Sequence, residues 1–210
     1  MRENELKDMI EFQIKQRGIN QPRLLQAFNN IPRHLFINDD YQDDAYRDGP
    51  IPIGYGQTIS QPYIVAYMIS ELDLRSSDHI LEIGTGCGYQ AAILSFLVSS
   101  VISIEIIPEL AERARQVLSR LGIRNVKVLT ADGSLGCEDQ APFNAILVSA
   151  AAPQVPAPLL KQLKDGGRLI LPVGSRGFQQ LEIWTRSGLE FNVRRALPVA
   201  FVPLRGKHGW

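Results

Sequence analysis

The sequence predicts an α/β protein with a doubly wound, mostly parallel sheet, extra helices at its N-terminal end and antiparallel strands at its C-terminal end. Short apolar runs alternate with helix-patterned segments between residues 80 and 173, which is typical of parallel strands joined by helices. The first of these runs ends in a glycine-rich turn. Between Leu181 and Val193, apolar and polar residues alternate on both sides of Ser187-Gly188, which predicts antiparallel strands that close the sheet.

The first 60 residues predict two helices followed by loops. Apolar residues have helical spacing from Leu6 to Ile14, Gly18 ends that helix, and Pro22 begins a second one. The stretch from Asn38 to Asp48 contains five aspartates without periodicity, so we expect a solvated loop. From Gly49 to Pro62, glycines and prolines exclude a regular element, and we expect a rigid loop.

Ser60 has two interpretations at this stage. The next helix has an apolar face, and Ser60 lies at its N-cap position with Pro62 in the first turn. Capping is an adequate role for the Ser60 hydroxyl. A catalytic role for the same hydroxyl stays open beside it.

The turn after the first apolar run contains Gly84, Gly86 and Gly88, between a strand at Ile80–Ile83 and an alanine-rich helix at 91–98. Because glycine lacks a Cβ atom, such a turn can press its main chain against a ligand. The alternative is that the glycines only permit tight packing of the helix on the strand.

A second strand, Val101 to Glu105, places an acidic side chain where a doubly wound fold binds ribose hydroxyls. The Gly-x-Gly-x-Gly spacing differs from that of dinucleotide sites, whose helix N-terminus faces a pyrophosphate. We expect Glu82 at the mouth of its strand, where a carboxylate would repel a pyrophosphate and tolerate a sulfonium. These features favour S-adenosylmethionine over NAD.

The rest of the chain continues the alternation. A helix opened by Pro108 and ended by Gly122 leads to a strand at Val126–Leu129, after which Asp132 either caps a helix or accepts a hydrogen bond from an adenine amino group. Strands are predicted at Asn144–Ser149 and Arg168–Val173. The last residues, Arg205 to Trp210, are expected to be a tail.

Composition limits the class of protein. Among 210 residues, Lys+Arg and Asp+Glu both number 22, so no basic field favours nucleic acid. We see no signal peptide or membrane span and expect a cytoplasmic protein. Cys87 and Cys137 lie far apart, and the three histidines show no ligand spacing, so we expect reduced thiols and no metal.

Several motifs together resemble those of the protein-L-isoaspartate (D-aspartate) O-methyltransferases. They span nearly the whole chain and include Gly54–Pro62, Leu81–Ala92, Asp132-Gly133, Ala141–Phe143, Ala150–Pro153, Gly166–Leu169 and Phe201–Leu204. The glycine turn alone indicates a class I methyltransferase, whereas Gln57–Pro62 is specific to this family. Cys87, Ala131 and Asn144 depart from the residues usual there.

The resemblance implies a class I S-adenosylmethionine-dependent fold in one domain, 1–210, with 1–60 as helical flank and substrate loop and 61–210 as cofactor-binding sheet. It implies methyl transfer to the free α-carboxylate of L-isoaspartyl residues in age-damaged proteins and peptides, after which the ester forms a succinimide without the enzyme. We expect a monomer without nucleic-acid or membrane partners. The cofactor residues expected are Glu82, Gly84, Thr85, Gly86, Gly88, Tyr89, Gln90, Glu105, Asp132 and Gly133. The substrate residues expected are Gln57, Thr58, Ile59, Ser60, Val202, Pro203 and Leu204, with Ser60 catalytic.

This reaction needs no general base, since a carboxylate with a pKa of about 4 is already an anion at neutral pH. The absence of a Ser/His/Asp constellation therefore fits it. Two alternatives remain open: a class I methyltransferase with another acceptor, and a non-catalytic peptide-binding module on the same fold.

Overall fold

The computed structural model describes residues 2–175 and 177–210, which form a sheet with helices on both faces. The helices are α1 (Arg2–Asp8), α2 (Pro22–Asn30), α3 (Pro62–Ser70), α4 (Tyr89–Ser95), α5 (Pro108–Arg120) and α6 (Ala157–Lys161). The strands are β1 (Ile51–Gly54), β2 (Gln57–Ile59), β3 (His79–Ile83), β4 (Ser100–Glu105), β5 (Val126–Thr130), β6 (Phe143–Val148), β7 (Leu163–Ser175), β8 (Phe178–Ser187) and β9 (Glu190–Val199).

The main sheet has the order β5-β4-β3-β6-β7-β8-β9. Its first five strands pair in parallel, and β7, β8 and β9 pair antiparallel. The predicted fold class is therefore confirmed. Because the chain adds β4 and β5 on one side of β3 and β6 on the other, the order reverses beside β3. Open α/β sheets bind ligands in the crevice outside the strand ends at such a point.

Each face of the sheet has its own apolar core. Along β3, Ile80 packs into the core shared with the N-terminal helices, whereas Leu81 and Ile83 pack into the core on the opposite face. Alternation of side chains along a strand places Glu82 on the same face as Ile80. This places the Glu82 carboxylate inside the protein.

The expectation of an irregular loop at Gly49–Pro62 is wrong, because β1 and β2 form an antiparallel hairpin there. Two short strands tolerate Pro52, which pairs with Thr58 outside the main sheet. The turn consists of Gly54, Tyr55 and Gly56, all with φ between 55° and 97°. Glycine adopts such values freely, whereas Tyr55 is a side chain in the sparsely populated left-handed region.

The N-terminal flank is more ordered than its composition predicts. After α1 the chain makes a π turn and a 3-10 turn before Gly18, whose φ of 92° ends the first helical segment as expected. The aspartate-rich stretch contains 3-10 turns at Asp39–Asp44, and Ala45 and Tyr46 after it are buried. No helix in the described ranges is long and apolar enough to cross a membrane.

Candidate active site

A cleft lies at the carboxyl ends of β3, β4 and β6, the edge where open α/β sheets bind ligands. The hairpin, the glycine turn and the segment after β9 form its walls. Most of the predicted site residues line it: Gln57, Thr58, Ile59, Ser60, Gly84, Thr85, Gly86, Tyr89, Gln90, Glu105, Gly133, Val202, Pro203 and Leu204. Glu82, Gly88 and Asp132 do not line it. The individual roles of these residues stay predictions.

The glycine turn is held against β4. The main-chain N–H groups of Gly84 and Thr85 both donate to the carbonyl of Ile104, at 2.8 and 3.3 Å. Gly84, Gly86 and Gly88 all have positive φ, between 56° and 90°. Gly88 faces α5 instead of the cleft, and a Cβ atom there would lie 3.2 Å from that of Ala114. Its glycine therefore serves helix packing.

Glu105 is the sole acidic side chain among the described residues of the cleft wall. Its carboxylate accepts hydrogen bonds from the main-chain N–H groups of Gly86, at 2.8 Å, and Ile107, at 3.0 Å. Because each carboxylate oxygen has further acceptor capacity, Glu105 can hold the glycine turn and still accept from ligand hydroxyls.

Glu82 lies near the carboxyl end of β3, but its carboxylate is fully buried behind the cleft wall instead of open at the mouth of the strand as we expected. Its carboxylate accepts from Ser103 Oγ at 2.5 Å and from Gln90 Nε2 at 3.1 Å. Gln90 Nε2 also donates to Ser149 Oγ at 2.8 Å, and Thr85 Oγ1 lies 2.6 Å from Ser103 Oγ. Glu82 thus binds Gln90 directly, and it is linked through Gln90 to Ser149 and through Ser103 to Thr85. It supports these three polar side chains of the cleft wall without lining the cleft itself.

Burial raises the pKa of Glu82 from its usual 4.5 to about 7, because desolvation disfavours the anion. The hydrogen bonds from Ser103 and Gln90 oppose this effect, and the nearby Glu105 charge adds to it. Glu82 therefore changes charge near neutral pH, inside a network that contacts the cleft.

Ser60 is half-buried in the cleft wall and is not a helix cap. The N-cap residue of α3 is Gln61, and it makes no side-chain capping bond. The capping interpretation of Ser60 is wrong because the helix begins one residue later than it requires. The Ser60 hydroxyl makes no hydrogen bond within the described parts of the chain, while its main-chain carbonyl accepts from Arg33 Nη2 at 2.8 Å.

Asp132 contacts the end of the chain instead of the cleft. Its carboxylate accepts from the N–H and hydroxyl of Ser134, at 2.9 and 2.7 Å, and from the main-chain N–H of Lys207 at 2.8 Å. Burial alone would raise the pKa of Asp132, but these hydrogen bonds outweigh it and lower the pKa. The final residues therefore pack on the protein, and the segment expected to be a tail forms part of the site.

Several lining residues were missed by the sequence analysis, among them Ile106, Ser149 and Arg205. Ser149 follows the last residue of β6, a position at the ligand edge of a parallel sheet that could have identified it. Arg205 directly follows the Phe201–Leu204 motif. Among the described lining residues it is the only cation.

Comparison with known proteins agrees with these motifs. Residues 4–209 match the family model described as Protein-L-isoaspartate(D-aspartate) O-methyltransferase (PCMT). A protein-L-isoaspartate O-methyltransferase of Methanospirillum hungatei is 53% identical over 206 residues, covering 98% of this chain and 95% of that protein. One of Syntrophobacter fumaroxidans is 52% identical over 203 residues, covering 96% and 94%.

Solved structures agree in fold over the full length. A structure of a protein-L-isoaspartate O-methyltransferase superposes with a TM-score of 0.88 at 29% identity, covering 100% of this chain and 67% of that one. A β-aspartate methyltransferase of Plasmodium falciparum in complex with S-adenosyl-L-homocysteine has a TM-score of 0.83 at 24% identity, covering 97% and 98%. Together with the family match and the close relatives, this leads to one conclusion: the chain belongs to the protein-L-isoaspartate(D-aspartate) O-methyltransferase family.

Proposed function

We propose that this chain transfers a methyl group from S-adenosylmethionine to the free α-carboxylate of L-isoaspartyl residues in damaged proteins and peptides. One observation carries the proposal. The Gln57–Ser60 segment specific to this family, the glycine turn, Glu105 and Val202–Leu204 meet in a single cleft. The motifs expected to bind the cofactor and those expected to bind the substrate are distant in sequence, and they line the same cleft.

The cleft suits this cofactor. Gly84, Gly86 and Gly133 present main chain without side chains to the ligand space, and Glu105 offers acceptor oxygens for ribose hydroxyls. When bound, S-adenosylmethionine supplies an electrophilic methyl group on a sulfonium. The Glu105 carboxylate, which holds the glycine turn, favours this ligand over a pyrophosphate-containing one, which it would repel.

The chain's own contribution is to bind, orient and exclude water. Because the acceptor carboxylate is already an anion, methyl transfer from the bound cofactor would require no residue of the chain to move a proton. An anion and a cation become two neutral products. A water-poor cleft favours this charge neutralisation, and positioning supplies the rest. We assign Ser60 the role of donating to one carboxylate oxygen so that the other faces the methyl group.

The product ester then cyclises to a succinimide without the enzyme, which starts repair of the damaged residue. Incubation with labelled S-adenosylmethionine and an L-isoaspartyl peptide tests the proposal. We expect base-labile label on that peptide and none on its aspartyl counterpart. Label confined to another acceptor would support a different methyltransferase, and binding of the peptide without transfer would support a non-catalytic module.

A further inference from the structure

A second groove is continuous with the cleft. It is lined by Gln179, Phe201, Pro203, Arg205 and Trp210, and it shares Pro203 and Arg205 with the cleft wall. The side-chain amide of Gln179 fixes its floor, since it accepts from the Phe201 N–H at 2.7 Å and donates to the Phe201 carbonyl at 3.3 Å. The groove is therefore a defined extension of the cleft, held in shape by the hydrogen bonds of Gln179.

The segment beside this groove, residues 201–210, contains Arg205 and Lys207 and no Asp or Glu, although the whole chain has no net charge. Arg205 and Lys207 are both exposed, and Arg205 makes no ion pair or hydrogen bond to another described residue. The neighbouring carboxylate of Asp132 is already engaged by Ser134 and the Lys207 N–H. A cation at the junction of cleft and groove is thus available to a ligand.

Resting on the proposed function, we propose that this groove holds the polypeptide on one side of the isoaspartyl residue and that Arg205 selects an acidic residue there. An isoaspartyl residue inside a protein continues into chain on both sides, so that chain must leave the cleft across its rim. The groove offers apolar and aromatic surface for a peptide, and Arg205 offers the complementary charge for an Asp or Glu side chain.

Isoaspartyl peptides that differ only by Glu, Gln or Lys within two residues on either side of the isoaspartate test this selection. The wild-type protein should show a kcat/KM for the Glu peptide about two- to fivefold above that for the Gln peptide at one or more positions, as for an exposed ion pair. The Lys peptide should fall below the Gln peptide. The preference should shrink in 0.5 M salt, about where the screening length falls below 5 Å.

Arg205→Glu should invert the preference, and Arg205→Gln should bring the ratio close to one. The matched control is Arg124→Glu, the same charge change at an exposed residue beside the amino end of β5, where the wild-type ratio should persist. An equal rate on all peptides, or an unchanged ratio in Arg205→Glu, overturns the inference while leaving the methyl transfer intact. The inference is also overturned if Arg205→Gln binds S-adenosylmethionine more weakly in calorimetry while the ratio of rates on the Glu and Gln peptides stays unchanged. Arg205 would then hold the cofactor carboxylate. Failure to methylate any of the peptides would instead contradict the proposed function.

Discussion

Arg33 donates through Nη2 to the main-chain carbonyl of Ser60 at 2.8 Å, and it does so from a fully buried position. Its Nε donates to the carbonyl of Ala45 at 3.0 Å, and its guanidinium carbon lies 5.1 Å from the ring centre of Tyr89. Within the described ranges, Arg33 Nη1 and the Tyr89 hydroxyl lack hydrogen-bond partners. Arg33, in the N-terminal flank, therefore contacts both Ser60, which lies in the segment expected to bind the substrate, and Tyr89, which follows the glycine turn.

Replacing Arg33 by lysine should reduce both stability and activity. An ammonium cannot donate to both carbonyls in the fork geometry, and each buried carbonyl left unpaired costs about 1–3 kcal/mol. A displaced Ser60 should lower kcat/KM for an isoaspartyl peptide by roughly ten- to a hundredfold. Urea unfolding and kinetics, measured where the variant stays folded, check this.

Arg23→Lys is the control for Arg33→Lys, because Arg23 also donates to main-chain carbonyls, those of Leu74 and Leu97, but does not line the cleft. It should lose stability with little change in kinetics. If Arg33→Lys behaves in the same way, Arg33 only holds the flank in place.

Glu82 should make stability depend on pH. Its pKa is about 7 in the folded protein against 4.5 ordinarily, so the folded state binds more protons between those values. Stability therefore falls as pH rises through this window, by about 3 kcal/mol in total. In Glu82→Gln this loss should be absent. The free energy of unfolding of the variant, compared with that of the wild type, should therefore rise as pH increases from 4.5 to 8. Urea unfolding across that range measures it, with the exposed Glu109→Gln as control. Parallel profiles for Glu82→Gln and wild type would refute the raised pKa.

Glu105→Ala should weaken S-adenosylmethionine binding by roughly ten- to a hundredfold, since a hydrogen bond to a charged group contributes about 1.5–3 kcal/mol. The structure adds a second effect, because Ala also removes the acceptor for Gly86 and Ile107. Glu105→Gln keeps one acceptor oxygen and should lose less affinity. Calorimetry with Glu109→Ala as control tests this, and wild-type affinity in Glu105→Ala would exclude the ribose assignment.

The periodicity of apolar residues predicted the sheet. The rule that ligands bind at the carboxyl ends of parallel strands then placed most of the site residues at one edge of it. Alternating apolar runs determine which strands are buried, and parallel strands necessarily end together. This is why Glu105, the glycine turn and Gly133 could be placed at one cleft from sequence. The same logic, applied to the residue after β6, could have added Ser149.

Features that depend on contacts distant in sequence could not be predicted. The β1–β2 hairpin needs a left-handed tyrosine at its turn, which no local pattern indicates. The packing of the last residues on Asp132 requires Gly206, where a Cβ atom would lie 2.0 Å from Asp132 Oδ1. Arg33 could not be singled out from the sequence, because nothing in its neighbours shows that the main-chain carbonyl of Ser60, 27 residues away, accepts its hydrogen bond.

Ser60→Ala is a decisive probe of catalysis, since the hydroxyl caps no helix and bonds to no other described residue. We expect stability within about 0.5 kcal/mol of wild type, as for ordinary surface substitutions. If the hydroxyl orients the isoaspartyl carboxylate, kcat/KM should fall roughly ten- to a hundredfold, since a hydrogen bond to a charged group contributes about 1.5–3 kcal/mol. Cofactor affinity should not change. Ser60→Thr, which keeps a hydroxyl, should recover much of the rate, and Ser76→Ala at an exposed serine should have no effect. A Ser60→Ala protein that methylates isoaspartyl peptides at the wild-type rate would remove Ser60 from the reaction.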